Sequence, residues 1–204
     1  MIKAVILDVG NVVLELDWIR SVSLLQEKIG RNSQYIATLL EFLSESTELK
    51  RFEIGELSAE DFRSSVKSRL NIDIADSEFD DIWNACLPRK IPGINAAALE
   101  LSRKFRLIGL SNTNEIHYEY FMSKFSDTFS HFESVYCSHV LGKAKPNQDI
   151  YKETLSRIGL DAQEVVFFDD RAENIEMATN LGFHAYKCFR SAEFILSKVN
   201  LLKD

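Results

Sequence analysis

A chain of 204 residues, of which 46% are hydrophobic and 27% charged, has the composition of a folded globular protein. Its formal net charge of -7 argues against general binding to nucleic acid or anionic membranes. Cys86, Cys137 and Cys188 have neither zinc-site spacing nor the density of a disulfide framework, so we expect buried, reduced thiols. The apolar run that ends at Asp8 is too short for a signal peptide or a membrane span, and we expect a cytoplasmic protein.

Short apolar runs alternate with helical patterns along the chain. The runs cover 4–7, 105–110, 135–137, 165–168 and 184–188, and the third is the shortest. Continuous runs rich in Val and Ile are typical of buried parallel strands. Helical patterns cover 95–104, 114–125, 147–158 and 172–181. Strand alternating with helix predicts an α/β fold with a doubly wound parallel sheet.

The stretch between the first two runs is different, because it contains no convincing strand. Helical periodicity covers 18–29, 34–49, 59–70 and 77–85. Ser58 followed by Asp61 resembles a capping box, although Glu or Gln is usual at the later position. We therefore predict a helical cap domain over 16–88, inserted into an α/β core domain formed by 1–15 and 89–204.

Polar side chains follow the predicted strands where each one ends. Asp8 follows the first, Ser111 and Asn112 the second, and Asp169 and Asp170 the fourth; the loop after the third contains Lys145. Ligands of open parallel sheets bind at the carboxyl ends of the strands, so we expect these side chains to lie close together. Each of them alone is also compatible with a turn, a helix cap or a solvated surface.

Together these residue types fit the transfer of a phosphoryl group. The reaction needs a nucleophile, neutralisation of charge, and donors for the phosphate oxygens. Two carboxylates can share a hard cation such as Mg²⁺, while a lysine offsets the remaining negative charge. A serine hydroxyl and neighbouring backbone N–H groups can hold phosphate oxygens. A carboxylate nucleophile would form an aspartyl-phosphate intermediate.

Four segments resemble, in order, the four motifs of the haloacid dehalogenase (HAD) superfamily: 6–13 (ILDVGNVV), 110–113 (LSNT), 145–146 (KP) and 167–170 (FFDD). The resemblance implies a Rossmann-like core with a small α-helical cap after the first strand. Within the superfamily, the form of these motifs is most similar to bacterial phosphatases that act on glucose-1-phosphate. It implies a Mg²⁺-dependent phosphatase of small phosphorylated metabolites, such as sugar phosphates. We expect a monomer or homodimer.

The resemblance also implies a role for each motif residue that could bind the metal. Asp8 would be the nucleophile and a magnesium ligand, and Gly10 would offer its backbone carbonyl to the metal. Asp170 is the better match for the metal ligand of the fourth motif. Asp169, its neighbour, would act through a water molecule.

Ser111 and Asn112 would bind the transferred phosphoryl group, by the same resemblance. Lys145 would steady both the nucleophile and the phosphate. The cap would select the substrate. Candidates to line its side of the site are Trp18, Arg20, Arg51, Phe52, Glu53 and Trp83. The histidines have no metal-ligand spacing, and we expect no catalytic role for them.

Gly10 departs from the family pattern, because phosphatases of this superfamily usually have an aspartate there as general acid and base. Such help is worth about 10²–10⁴-fold in rate, and glycine cannot provide it. A catalytically weak binding or regulatory protein is therefore one alternative. A 2-haloacid dehalogenase is another, although its metal-free chemistry does not call for the pair Asp169 and Asp170. A phosphoreceiver domain would place its acidic pair after the first strand, not the fourth.

Overall fold

The computed structural model describes residues 1–29 and 46–202. Its centre is one five-stranded, fully parallel sheet with the strand order β3-β2-β1-β4-β5. The strands are β1 (Ala4–Leu7), β2 (Arg106–Ser111), β3 (Ser134–Cys137), β4 (Val165–Asp169) and β5 (His184–Lys187). The five apolar runs are thus confirmed as strands, and so is the parallel α/β class. Because β1 is central, its carboxyl end lies between those of β2 and β4.

Helices connect the strands and surround the sheet. Between β1 and β2 lie Trp18–Ile29, Thr47–Glu53, Ala59–Leu70, Asp76–Asn84 and Ile94–Ser102. The later helices are Glu115–Lys124, Ser126–Phe129, Ser138–Leu141, Gln148–Ile158, the 3-10 turn Ala162–Glu164, Ala172–Asn180 and Ala192–Leu201. Most of the helix predicted over 34–49 lies outside the described residues. None of the described helices is both long and apolar enough to cross a membrane.

The start of the helix Ala59–Leu70 differs from the predicted capping box. The Ser58 hydroxyl oxygen accepts the backbone N–H of Asp61 (3.1 Å), which is the expected half of the motif. The Asp61 carboxylate, however, accepts the Ser58 hydroxyl proton (2.7 Å) instead of reaching back to the backbone. Its side chain is one methylene shorter than that of the usual Glu, which explains the difference.

The sheet buries both faces, as continuous apolar strands require. Val5 and Leu7 of β1 belong to one hydrophobic cluster, whereas Ala4 and Ile6 belong to a second cluster on the opposite face. Each of these side chains is fully buried. Full burial of a Val, Leu or Ile side chain contributes about 1.5–3 kcal/mol, so Val5 and Leu7 on one face and Ile6 on the other hold β1 in the centre of the sheet.

The helices between β1 and β2 form a third hydrophobic cluster of their own. Phe62 stacks on Phe52, with ring centroids 4.3 Å apart, and meets the edge of Trp83 at 5.0 Å. Ile116, from the helix after β2, also belongs to this cluster. The inserted helices therefore have a separate apolar core that rests on one helix of the α/β part.

Candidate active site

Lys145 lies at the centre of the polar cluster at the carboxyl end of the sheet. Its Nζ donates to Oδ1 of Asp8 (2.6 Å), to Oδ2 of Asp169 (2.6 Å) and to the carbonyl of Leu110 (2.7 Å). All three ammonium protons are thus used, and the side chain is only 1% exposed. The loop after β3 therefore delivers a fixed positive charge between the ends of β1 and β4.

The two members of the acidic pair have different surroundings. Asp169 is fully buried, and its Oδ1 accepts the backbone N–H of Arg171 (2.9 Å) and Nδ2 of Asn174 (2.8 Å). With Lys145 on its other oxygen, Asp169 has both oxygens engaged. Asp170 is half-buried, and Asn11 donates to its Oδ2 (2.9 Å). Asp170 therefore has fewer hydrogen bonds than Asp169 and is better placed to bind a cation.

The donor set at this end of the sheet fits a hard divalent cation. Asp8, Asp169 and Asp170 each present an oxygen, and these oxygens lie within 4.8 Å of one another. Among the described residues, none donates a hydrogen bond to Oδ2 of Asp8 or to Oδ1 of Asp170. Three carboxylates face one lysine, so the cluster is negative overall, and clustered oxygen ligands of this kind suit Mg²⁺.

Electrostatics agree with a shortage of positive charge at Asp8. Burial raises the pKa of the Asp8 carboxyl to about 7; Lys145 opposes the rise, while the charges of Asp169 and Asp170 add to it. Burial disfavours the charge on Lys145 as well, but Asp8 and Asp169 outweigh this and raise the lysine pKa. Lys145 therefore stays charged, and a second cation near Asp8 would favour its ionised, nucleophilic form.

Ser111 is the last residue of β2 and Asn112 follows it, and both line the same cavity as Asp8. Ser111 is only 3% exposed. The Asn112 side chain is committed to the backbone of Lys145, because its Nδ2 donates to the Lys145 carbonyl (2.8 Å) and its Oδ1 accepts the Lys145 N–H (2.8 Å). Its amide therefore fixes the lysine loop.

Gly10 also lines this cavity, and its backbone does not require a glycine. The φ angle of Gly10 is not positive. A Cβ placed on it would lie 3.7 Å from Cδ2 of Leu16 and 3.8 Å from Oδ2 of Asp8, which are ordinary contacts. The missing side chain is therefore a chemical feature of the site and not a steric necessity.

The cavity has a volume of about 240 Å³ and is closed partly by the inserted helices. Of the six residues proposed to line it from that side, Trp18 and Glu53 do so. Burial raises the pKa of Glu53, and the nearby Arg171 guanidinium opposes the rise. Phe52 and Trp83 pack in the apolar cluster, whereas Arg20 and Arg51 are exposed.

His117 is a residue of the cavity wall that sequence reasoning did not single out. Its Nδ1 faces the amide nitrogen of Asn114 (3.2 Å), so Nε2 carries the proton and donates to the carbonyl of Trp83 (3.2 Å). The Trp83 ring stacks on the imidazole at 5.3 Å. Burial lowers the pKa of His117 to about 4, so the ring is neutral and joins the inserted helices to the α/β part.

The comparisons with known proteins agree with this geometry. A family model described as haloacid dehalogenase-like hydrolase matches residues 2–182. The chain is 25% identical over 203 residues to D-ribitol-5-phosphate phosphatase from Bacteroides thetaiotaomicron, with 95% of each covered. A HAD-like family hydrolase structure from Porphyromonas gingivalis is 28% identical, with a TM-score of 0.86 and coverage of 100% of this chain and 99% of that one.

A second solved structure contains ligands. A HAD family enzyme from Bacteroides thetaiotaomicron, in complex with magnesium and inorganic phosphate, is 27% identical with a TM-score of 0.81. The alignment covers 92% of this chain and 94% of that one. With the family model spanning most of the sequence, the chain belongs to the haloacid dehalogenase-like hydrolase family.

Proposed function

We propose that this hydrolase is a Mg²⁺-dependent phosphatase of small phosphorylated polyols or sugars, with Asp8 as its nucleophile. The observation that carries the proposal is Lys145 bridging Asp8 and Asp169 beside the free oxygen of Asp170. The curated relative named as a D-ribitol-5-phosphate phosphatase supports the substrate class. The related structure in complex with magnesium and inorganic phosphate supports a cation and a phosphate group as the ligands of this site.

The domain division belongs to the same proposal. Residues 16–88 would form a cap domain over the α/β core of 1–15 and 89–204. The separate apolar cluster of the inserted helices supports this division, and so do Trp18 and Glu53 in the cavity wall. A cytoplasmic location and a monomeric or homodimeric state stay predictions.

In this proposal, Asp8, Asp170 and the backbone carbonyl of Gly10 would hold Mg²⁺, with Asp169 acting through water. When bound, Mg²⁺ supplies positive charge that brings the phosphate dianion and the Asp8 carboxylate together. Lys145 holds one oxygen of Asp8, which fixes the direction of the other. The Ser111 hydroxyl and the backbone N–H of Asn112 would donate to the phosphate oxygens.

The reaction then has two steps. An Asp8 oxygen forms a bond to phosphorus while the bond between phosphorus and the leaving oxygen breaks, and the alcohol departs with a proton taken from water. A water molecule next attacks the phosphorus of the aspartyl phosphate, which breaks the bond between phosphorus and the Asp8 oxygen, releases inorganic phosphate and restores the Asp8 carboxylate. The proton that this water loses passes to solvent and balances the proton taken up by the alcohol in the first step. Lys145, fixed by three hydrogen bonds, offsets negative charge in both steps.

Glu53 supports a hydroxylated, uncharged leaving group. No described residue donates a hydrogen bond to its carboxylate, although the side chain lines the cavity. Such a carboxylate accepts hydrogen bonds from hydroxyl groups and repels a second phosphate or carboxylate on the substrate. A sugar 1-phosphate would suit Gly10 best, because an anomeric oxygen leaves more readily than a primary alkoxide. The resemblance to glucose-1-phosphate phosphatases stays a prediction.

Hydrolysis of para-nitrophenyl phosphate with and without Mg²⁺ tests the proposed activity, because this leaving group needs no protonation. We expect phosphate release that depends on Mg²⁺ and is lost in Asp8→Asn. Protein that binds Mg²⁺ but releases no phosphate would support the binding-protein alternative instead. Metal-independent turnover of 2-haloacids would support the dehalogenase.

A screen of phosphorylated metabolites then identifies the leaving group. It includes hexose 1-phosphates, hexose 6-phosphates, pentitol phosphates, sugar bisphosphates and nucleotides. We expect monophosphates of uncharged polyols or sugars to be hydrolysed in preference to bisphosphates, and we expect Glu53→Gln to reduce this preference. Equal turnover of bisphosphates by the wild type would contradict the role proposed for Glu53.

A further inference from the structure

A chain of hydrogen bonds reaches Asp170 from a residue far away in the sequence. Nε of Arg190, in the loop after β5, donates to Oδ1 of Asn11 (3.0 Å), and Nδ2 of Asn11 donates to Oδ2 of Asp170 (2.9 Å). Among the described residues, Asn11 is the sole hydrogen-bond donor to Asp170. The direction of that carboxylate therefore depends on Asn11.

The orientation of the Asn11 amide is fixed by its other partners. Its Oδ1 accepts from Nε of Arg190 and from the backbone N–H of Leu16 (3.3 Å), and both of these groups can only donate. The amide nitrogen must consequently face Asp170. The Asn11 backbone is fixed as well, because its N–H donates to the Leu14 carbonyl (2.7 Å) and its carbonyl accepts the Arg190 N–H (2.7 Å).

The backbones of Asn11 and Arg190 have unfavourable conformations, and several contacts hold them there. Asn11 has φ 55° and Arg190 has φ 52°, both in the left-handed region that side chains with a Cβ disfavour. Asn tolerates this region, whereas Arg seldom adopts it. The Arg190 guanidinium also donates to Glu15 (3.1 Å) and to the Leu16 carbonyl (3.0 Å). Strained residues that several contacts hold in place are concentrated at functional sites.

We propose that Asn11 and Arg190 are positioning residues that orient Asp170 as a metal ligand. Asn11 holds one oxygen of Asp170, so that the other stays directed at the cation shared with Asp8; Arg190 acts only through Asn11. This inference rests on the proposed function, since it requires a divalent cation at Asp8 and Asp170. The side chains that orient metal ligands typically change metal affinity about 10–100-fold when they are removed.

Metal binding without turnover tests the proposal. Mn²⁺ prefers the same oxygen ligands as Mg²⁺, and electron paramagnetic resonance counts the free ion. Asn11→Gly removes the amide but tolerates the left-handed backbone, and we expect its dissociation constant for Mn²⁺ to rise about tenfold. Arg190→Gly should raise it about threefold, by the same route. The double variant should bind no more weakly than Asn11→Gly, because Arg190 has nothing left to orient.

Asn71→Gly is the matched control. Asn71 has φ 49° and ends the helix Ala59–Leu70, so the same substitution occurs in the same backbone conformation among the inserted helices. We expect wild-type affinity for Mn²⁺ there. A folded Asn11→Gly variant with wild-type affinity would overturn the inference, and so would effects of the two substitutions that simply add.

The remaining outcomes are also decisive. Should Asn11→Gly fail to fold, Arg190→Gly alone decides, because wild-type affinity in that variant contradicts a role in orienting Asp170. Wild-type protein that binds no Mn²⁺ or Mg²⁺ would overturn the proposed function together with this inference. Wild-type binding with an unchanged Asn11→Gly would overturn this inference alone.

Discussion

Introducing a carboxylate at position 10 should show how much the rate of hydrolysis is lowered by the glycine there. In Gly10→Asp, the new Cβ would lie 3.7 Å from Leu16 and 3.8 Å from Oδ2 of Asp8, so the first carbon of the side chain fits without moving either neighbour. It would begin beside the reacting carboxylate, in the wall of the same cavity. General acid catalysis is worth about 10²–10⁴-fold, and we expect the lower end because no described side chain holds the new carboxylate in position.

The assay is the ratio of kcat/KM for two substrates with different leaving groups. The leaving group of glycerol phosphate is an alkoxide, which needs a proton. The leaving group of para-nitrophenyl phosphate is a phenolate, which does not. The parameter kcat/KM reports events only up to the first irreversible step, which is phosphoryl transfer to Asp8. Gly10→Asp should raise the ratio of alkyl to aryl kcat/KM by about 10²-fold.

Gly10→Ala is the matched control, because it adds the Cβ without the carboxylate. Gly10 lies outside the left-handed region, so the control should be as stable as the wild type or more stable by about 0.4–1 kcal/mol. An equal change of the ratio in Gly10→Ala would refute the acid–base explanation. An unchanged ratio in folded Gly10→Asp that still binds Mg²⁺ would refute it too.

Four further predictions concern the polar cluster and His117. Asp8→Asn should abolish turnover, with circular dichroism unchanged, because an amide is not a nucleophile for phosphorus. Lys145→Met should lower the free energy of unfolding in urea by about 3–5 kcal/mol, because it leaves buried carboxylates without their cation. Asp170→Ala should raise the Mg²⁺ concentration for half-maximal activity more than Asp169→Ala does, whereas Asp169→Ala should lower the melting temperature more. The stability advantage of the wild type over His117→Gln should shrink by about 3 kcal/mol as the pH drops from 6.5 toward 4, because the pKa of His117 is lowered to about 4 and only the unfolded state protonates it in that range. The comparison with His117→Gln is needed because Asp8, with its pKa raised to about 7, takes up a proton in the folded state over the same range and has the opposite effect.

Each of these predictions has an outcome that would contradict it. Asp8→Asn with near wild-type turnover would mean that another group attacks the phosphorus. Urea curves that superimpose for Lys145→Met and wild type would show that the buried pairs add nothing to stability. Equal Mg²⁺ responses in the two aspartate variants would remove the distinction between them. His117→Gln with an undiminished acid sensitivity would assign that sensitivity to other groups.

Much of the sheet and its polar edge could be predicted from local sequence. Fully apolar runs such as 4–7 are buried on both faces in the structure, and parallel strands place their carboxyl ends together. That rule predicted the proximity of Asp8 and Asp170, since β1 and β4 are neighbours. Lys145 was predictable only through its motif, because a lysine before a proline carries no structural signal of its own.

The contacts that no local pattern reveals were not predicted. Arg190 lies in a loop beyond the last motif, and only the folded sheet brings it to Asn11. His117 is buried because Trp83 of the inserted helices covers it, and such a cover cannot be read from the helix Glu115–Lys124. The side-chain amide of Asn112 pairs with the backbone of Lys145, which lies beyond β3 in the chain. The role of Asn112 in binding phosphate stays a prediction. Long-range polar pairing of this kind depends on tertiary packing.

The central position of β1 has a consequence for how the protein acquires its structure during synthesis. Ala4 pairs with Arg106 on one side and with Val165 on the other, so both partners of this strand leave the ribosome long after it does. Pairings that distant in sequence slow folding and leave an apolar strand exposed in the meantime. The strand that precedes Asp8 is therefore made before both of its neighbours in the sheet and is enclosed only after β4, and nascent chains that end before β4 should depend on chaperones to keep it from aggregating.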